Sequence, residues 1–251
     1  MELPWAQHDR PVARIGRGDS YELHLASPGS ARRVALEQFI RQRFELQHGA
    51  RIRHFMPCLF GLENQIGQLL GAVGVRSGNS GPLFLERYLN EPIQTAIGSR
   101  LGNTEPGRGE LVEVGNLAAD SPGAARLLIV ALTDLLVALG FRWVTFTGTP
   151  TLLNSFQRLG LTPIALGEAD PARMGEELAD WGSYYDNRPL VMAGDIHGGH
   201  QPTAAGRLSA SRSSTAVCPR GHARCGLQLN PSSPASASSV RTSPWPKANV
   251  P

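Results

Sequence analysis

Apolar and polar residues alternate over Tyr21-Glu22-Leu23-His24-Leu25, the period of a half-buried strand. The rhythm then lengthens. Val34, Leu36, Phe39, Ile40, Phe44 and Leu46 recur at near-helical spacing with Arg32, Glu37, Arg41 and Glu45 between them, which predicts a helix with one inward face. Ser27-Pro28 reads as its start signal and Gly49 as its stop. Apolar runs at residues 58–63 and 69–76, joined by a turn at 64–67, predict a hairpin. Residues 83–89 fit an extended or a helical reading, and residues 92–101 a helix.

The next strand, residues 111–118, is entered from the Gly107/Gly109 turn. Ser121-Pro122-Gly123 then caps an apolar helix over 124–139 that ends at Gly140. Residues 143–147 read as a strand, and Thr149-Pro150 opens a helix that runs through Arg158 to Gly160. Strand, helix, strand in so short a stretch is a βαβ unit, for which parallel strands and a right-handed crossover are expected. Residues 161–166, a polar helix near 171–178 and a strand at 190–193 close an α/β domain spanning 21–196. Residues 1–20 read as a polar leader, and residues 197–251, rich in Ser, Pro, Gly and Arg, as a disordered tail.

Charge is uneven along the chain. Beyond residue 196 there is no acid, while Arg207, Arg212, Arg220, Arg224, Arg241 and Lys247 are basic. Removing those six from the formal charge of +3 leaves residues 1–196 at −3, so the basic pI gives no licence to expect nucleic acid as a partner. Three cysteines, Cys58, Cys218 and Cys225, cannot frame a domain of this size with disulfides, so a reducing compartment is expected. Residues 1–10 lack the basic start and apolar run of a signal peptide, and the apolar helix carries Arg126 and Asp134, so a cytoplasmic protein without integral membrane association is expected.

The segments LFLERYLNEP (83–92), EVGNLA (113–118), GAARLLIVALT (123–133), GFRWVTFTGT (140–149) and WGSYYD (181–186) together resemble the thermostable hemolysin family over most of residues 35–196. The order of elements is also similar to the GNAT acyltransferases and the autoinducer synthases. That resemblance implies a mixed central sheet with helices on both faces, in which the two parallel strands splay apart around the pantetheine of acyl-CoA or of an acyl carrier protein. The carrier's phosphates would meet the amides of Gly123, Ala124 and Ala125, with Arg126 beside them. Asn154 resembles an asparagine that many such proteins place on the carrier. A small-molecule amine would be the acceptor, an acyl carrier protein a candidate partner, and no metal is implied.

Acyl transfer to an amine needs a base and a polarised thioester carbonyl. Glu113 is the candidate base, weighed against a strand carboxylate paired with an arginine. Gly115 is expected to mark a bulge whose unpaired amide faces the thioester oxygen, with Asn116 beside it as a hydrogen-bonding residue. Cys58 reads as a buried thiol rather than a nucleophile, and Tyr184 and Tyr185 as packing against Trp181 rather than lining an acceptor pocket. Cys218, His222 and Cys225 offer an incomplete zinc set, and His197 and His200 no better one. The rival readings are a membrane-damaging protein and a non-catalytic acyl-CoA-binding module.

Overall fold

The computed structural model describes residues 10–16, 20–102, 104–158 and 160–199. The expected tail beyond residue 199, with His200, Cys218, His222 and Cys225, lies outside them; Ile196–Gly199 adds a short helical turn after the last strand. Eight strands, β1 (Ala13–Ile15), β2 (Tyr21–Ala26), β3 (Cys58–Asn64), β4 (Leu69–Ser77), β5 (Leu111–Ala119), β6 (Trp143–Gly148), β7 (Ile164–Glu168) and β8 (Leu190–Asp195), form one sheet in the order β1-β2-β3-β4-β5-β6-β8-β7. Only β5 and β6 run parallel, so the sheet is mixed. Strand β1 falls within the expected polar leader. It pairs antiparallel with β2 and buries Ile15, which a three-residue strand is too short to announce by periodicity.

Helix α1 (Ala31–His48) starts later than Ser27-Pro28 suggests, because Ser30 is its cap: the Ser30 Oγ accepts the Arg33 N–H at 3.1 Å. Gly49 ends it in the left-handed conformation, φ 64°. Leu36 and Ile40, one turn apart, are buried against the sheet, while Val34 and Leu46 are exposed, contrary to the expected single face. At about 100° per residue, Val34 lies on the far side of the helix from Leu36, and Leu46 sits about 120° around from Ile40, to the side of the buried stripe.

Helix α3 (Pro122–Ala138) covers the opposite face, where Leu128, Leu132, Leu135 and Leu136 pack on Phe60, Val73, Val75 and Val112. Helix α2 (Ile93–Arg100) shares the α1 side and buries Ile93 and Ile97 near Leu111, Trp143 and Val191. Helix α4 (Pro150–Arg158) follows β6. No helix among the described residues is long and apolar enough to cross a membrane.

Between β4 and α2 the ambiguous stretch resolves into tight turns, Gly78–Ser80 and Phe84–Tyr88. Their backbone is held by one ion pair. Arg108 donates to Glu86 at 2.7 Å, to the Gly78 and Gly81 carbonyls at 2.8 Å each, and to Gln94 at 3.0 Å. Glu86 in turn accepts the Leu83 and Ile93 N–H groups at 2.7 and 3.1 Å. Burial pushes the Glu86 carboxyl up, but Arg108 and those two amides outweigh it and hold it below its ordinary value.

Glu86→Gln should therefore lower stability by roughly 2 kcal/mol, less than a fully buried pair because both side chains are partly exposed. A depressed folded-state pKa stabilises above the unfolded value and is lost as pH falls through the folded one. The difference in Tm between wild type and variant should be full at neutral pH and shrink below about pH 4, as thermal melts across that range would show.

Candidate active site

Strands β5 and β6 are hydrogen-bonded neighbours only at Leu111↔Trp143, Val112↔Val144 and Glu113↔Thr145. Beyond Glu113 they separate, β5 continuing to Ala119 and β6 to Gly148. The cause lies on the other side of β5. Its register with β4 jumps from Gly74↔Gly115 to Ala72↔Ala118, so β5 carries one residue more than β4 over that interval. This is the expected bulge, and its extra residue bends the strand away from β6. Asn116, at φ 51°, occupies the left-handed conformation there, one that asparagine tolerates better than most side chains.

A cavity of about 1280 Å³ fills the opening and is lined by residues from both faces of the sheet. Its apolar wall comes from Leu128 and Leu132 of α3, Val144 and Phe146 of β6 and Phe156 of α4. Its polar wall, on the α1 side, contains Arg76, Glu113, His48, Phe84, Trp181 and Tyr184. Residues 50–57 run along this wall as a strap. Asn116 pins it, its Oδ1 accepting the Met56 N–H at 2.8 Å and its Nδ2 donating to the His54 carbonyl at 3.4 Å. Arg33 donates to the Met56 and Pro57 carbonyls, and Arg53 pairs with Asp180 at 2.8 Å. The Met56 side chain lies against the facing glycines Gly74 and Gly115, where an added Cβ would stand 2.5 and 2.6 Å from it.

Glu113 lies at the apex of the splay with 1% of its surface exposed. Its Oε1 accepts the Leu85 N–H at 3.0 Å and its Oε2 the Phe84 N–H at 3.1 Å, while Arg76 stands 3.8 Å from Oε2. Burial raises the Glu113 carboxyl above its ordinary value, against the pull of the two amides and Arg76. Each carboxylate oxygen has two acceptor sites, so Oε1 retains one. Nearby, burial lowers the His48 pKa and favours the neutral ring, whose edge meets Tyr184 at 5.3 Å. Tyr184 donates to Thr147 Oγ1 at 3.3 Å, tying this wall to the free end of β6.

The other candidates separate. Gly115 and Asn116 belong to the bulge, and Asn116 is a hydrogen-bonding residue whose amide group holds the strap. At the start of α3 the expected row of three outward amides is reduced: Ser121 Oγ accepts the Ala124 N–H at 3.2 Å, and the Ala125 N–H donates to the Ser121 carbonyl at 3.0 Å. Gly123 stays exposed, the nearest atom to an added Cβ being Ser121 Oγ at 3.9 Å. Arg126 does not line the cavity; Arg43 of α1 does, and it donates to the Asp120 carbonyl at 3.5 Å. Asn154 is exposed and lies outside the cavity lining.

Cys58 is buried in the α3-side core, and burial raises its thiol, which disfavours the thiolate a nucleophile needs. The tyrosine pair divides between two roles. Tyr185 packs inward, with its hydroxyl 2.6 Å from that of Tyr88, whereas Tyr184 lines the cavity as well as packing on Trp181. Sequence reasoning missed Arg76, Arg43, Arg33 and His48. The segments that bring them to the cavity are distant in the chain, and no local spacing marks them.

Asn116→Ala should cost about 2 kcal/mol, from a side chain strained in the left-handed region and the loss of both strap contacts. Asn116→Gly should recover the conformational part only. Thermal melts would rank the variants, and hydrogen exchange should show faster opening of residues 50–57 in both.

The sequence pattern of the thermostable hemolysin family matches residues 26–200, and the chain belongs to that family. No curated protein matches it. Among solved structures it is similar to FeeM, an N-acyl amino acid synthase from uncultured soil microbes, at 18% identity and a TM-score of 0.50, over 71% of this chain and 92% of that one. It is also similar to the acyl-homoserine lactone synthase LasI, at 12% identity and a TM-score of 0.47, over 70% of this chain and 90% of that one. A further similarity is to the CoA-dependent acyl-homoserine lactone synthase MesI, at 18% identity and a TM-score of 0.45, over 70% and 89%. The likeness to FeeM is one of fold.

Proposed function

We propose that the protein is an acyltransferase that moves an acyl group from the thioester of acyl-CoA, or of an acyl carrier protein, to a small amine. The observation that carries this reading is the splay itself. Past Glu113 and Thr145 the facing backbone edges of β5 and β6 are not bonded to each other, and an extended amide-bearing arm between them could satisfy those groups. Arg43 and Ser121 line the wide end, next to which Gly123, itself outside the lining, leaves open space suited to phosphates, and Glu113 lies at the apex. The family name suggests membrane damage instead, but a cavity through the sheet has no part in that reading.

In the proposed reaction the amine nitrogen attacks the thioester carbon. The carbonyl oxygen takes up negative charge beside the bulge at Gly115, where a backbone amide released from the β4 ladder could stabilise it. Glu113 receives the proton from the nitrogen through Oε1. The C–S bond then breaks, the sulfur leaves with the bonding electron pair, and the proton passes to it, so that an amide and a free thiol are the products. A carboxyl raised by burial is better matched to taking a proton near neutrality than one in water.

Two substitutions test the site and the chemistry separately. Gly123→Trp fills open space at the wide end and should abolish binding of acyl-CoA or acylated carrier protein while leaving the fold intact. Glu113→Gln should keep donor binding and slow transfer by about a hundredfold or more, the scale of a lost general base. Glutamine offers one acceptor to the Phe84 and Leu85 amides in place of two, so a modest fall in Tm is expected with it. The acid limb of the wild-type rate should rise with pH through a value above the ordinary carboxylate one and be missing from Glu113→Gln. Donor binding by Gly123→Trp equal to wild type would remove the phosphate end from the proposal, and full turnover by Glu113→Gln would remove the base.

A further inference from the structure

We infer that the acceptor carries an anion next to its amine, as an α-amino acid does, and that Arg76 is the residue that selects it. The inference rests on the acyl-transfer reading of the same cavity. Arg76 is only 24% exposed along its side chain and lines the cavity, yet its one ion pair, to Glu113, is 3.8 Å long. No hydrogen bond holds its guanidinium among the described residues. The structural arginines of this protein behave differently. Arg33, with a side chain 15% exposed, bonds Glu37 and the Met56 and Pro57 carbonyls, and Arg108, at 27%, bonds two side chains and two carbonyls. A guanidinium as sheltered as these but without their bonds has donors that face the cavity and are left over for a ligand.

The ligand's anion is not the donor's phosphate. The wide end of the splay lies beside Asp120, which follows the Gly71↔Ala119 pair, and Arg76 is five residues along β4 from Gly71. At the rise of an extended strand that separates the two ends by about 17 Å. Glu113, the residue that would take the amine proton, is by contrast the direct cross-strand partner of Arg76. Side chains so paired have their Cβ atoms about 5 Å apart. An acceptor whose amine meets Glu113 therefore holds the next one or two carbons against Arg76. A carboxylate at that point would form the two-pronged pair that guanidinium geometry favours, and would complete a site in which Glu113 otherwise faces a cation it does not touch closely.

The test compares acceptors differing only in that group. Full-length protein would be assayed for thiol release from a series of acyl-CoAs and an acylated carrier protein, with each common L-amino acid, its methyl ester and its decarboxylated amine. The free acid should be used with a kcat/KM at least about tenfold above the ester and the amine, the effect of one charge-assisted contact. Arg76→Gln should erase that preference by raising KM for the free acid more than for the ester, any change in kcat through the Glu113 carboxyl being shared by both, and Arg76→Lys should restore part of it. Donor binding, followed by thermal shift, should be the same in all three proteins. Equal use of acid and ester by the wild type, which requires no variant to fold, would overturn the assignment, as would an Arg76→Gln rise in KM that is the same for both acceptors. Either result leaves acyl transfer standing. Failure of every donor to bind the wild type would instead overturn both readings.

Discussion

The site depends on a single failure of pairing. Two parallel strands that stayed bonded from Leu111 to Ala119 would close the sheet and leave no cavity, since sheets exclude anything from between hydrogen-bonded neighbours. The bulge opposite Ala72 and Gly74 prevents this by giving β5 a residue its antiparallel partner lacks. Asn116 is well suited to the extra place, because the left-handed backbone there penalises most side chains and the asparagine amide group repays part of the cost by holding residues 54 and 56. The defect that opens the cavity therefore also fixes one of its walls.

The polar wall is organised around Glu113 in the same economical manner. Burying a carboxylate is unfavourable unless its oxygens are bonded, and here the bonds come from backbone amides of Phe84 and Leu85 rather than from a tight ion pair. Those amides are presented by turns that Glu86 and Arg108 hold rigidly. Two adjacent acids thus play different parts. Glu86 is saturated and held below its ordinary pKa, as a structural pair requires, while Glu113 is raised and keeps an acceptor site toward the cavity. The contrast between Arg108 and Arg76 follows the same division.

Much of the fold was legible because its elements obey strong local rules: the 58–76 hairpin, the capped helix after Ser121 and the parallel βαβ unit all appear where the pattern places them. Glu113, Gly115 and Asn116 could be singled out because a carboxylate, a glycine and an asparagine so close together on a central strand are locally anomalous. What escaped depends on distant packing. Nothing near Ser27 shows that Ser30 is the cap, a three-residue β1 has no period, and the tight turns at 84–88 satisfy neither a helical nor a strand rhythm. Arg76 looks like any polar residue at a strand end until Glu113 is set beside it, and Ser121 looks like a helix start until its hydroxyl is seen to use an amide that the resemblance assigned to phosphate.

The two faces of the sheet give the cavity its chemical direction. Side chains alternate across β5 and β6, so Val112, Val114 and Val144 turn toward α3 while Glu113 turns toward the α1 side, and the opening between the strands is where those environments meet. An apolar chain entering along α3 and a polar molecule entering along Arg76 would approach the same break from opposite sides. Neither needs to cross the other's wall. On the proposed reading the reacting atoms would meet at the level of the sheet, held by the most rigid part of the protein, and specificity would divide, the α3 side grading the apolar group by volume and the α1 side reading the acceptor by charge.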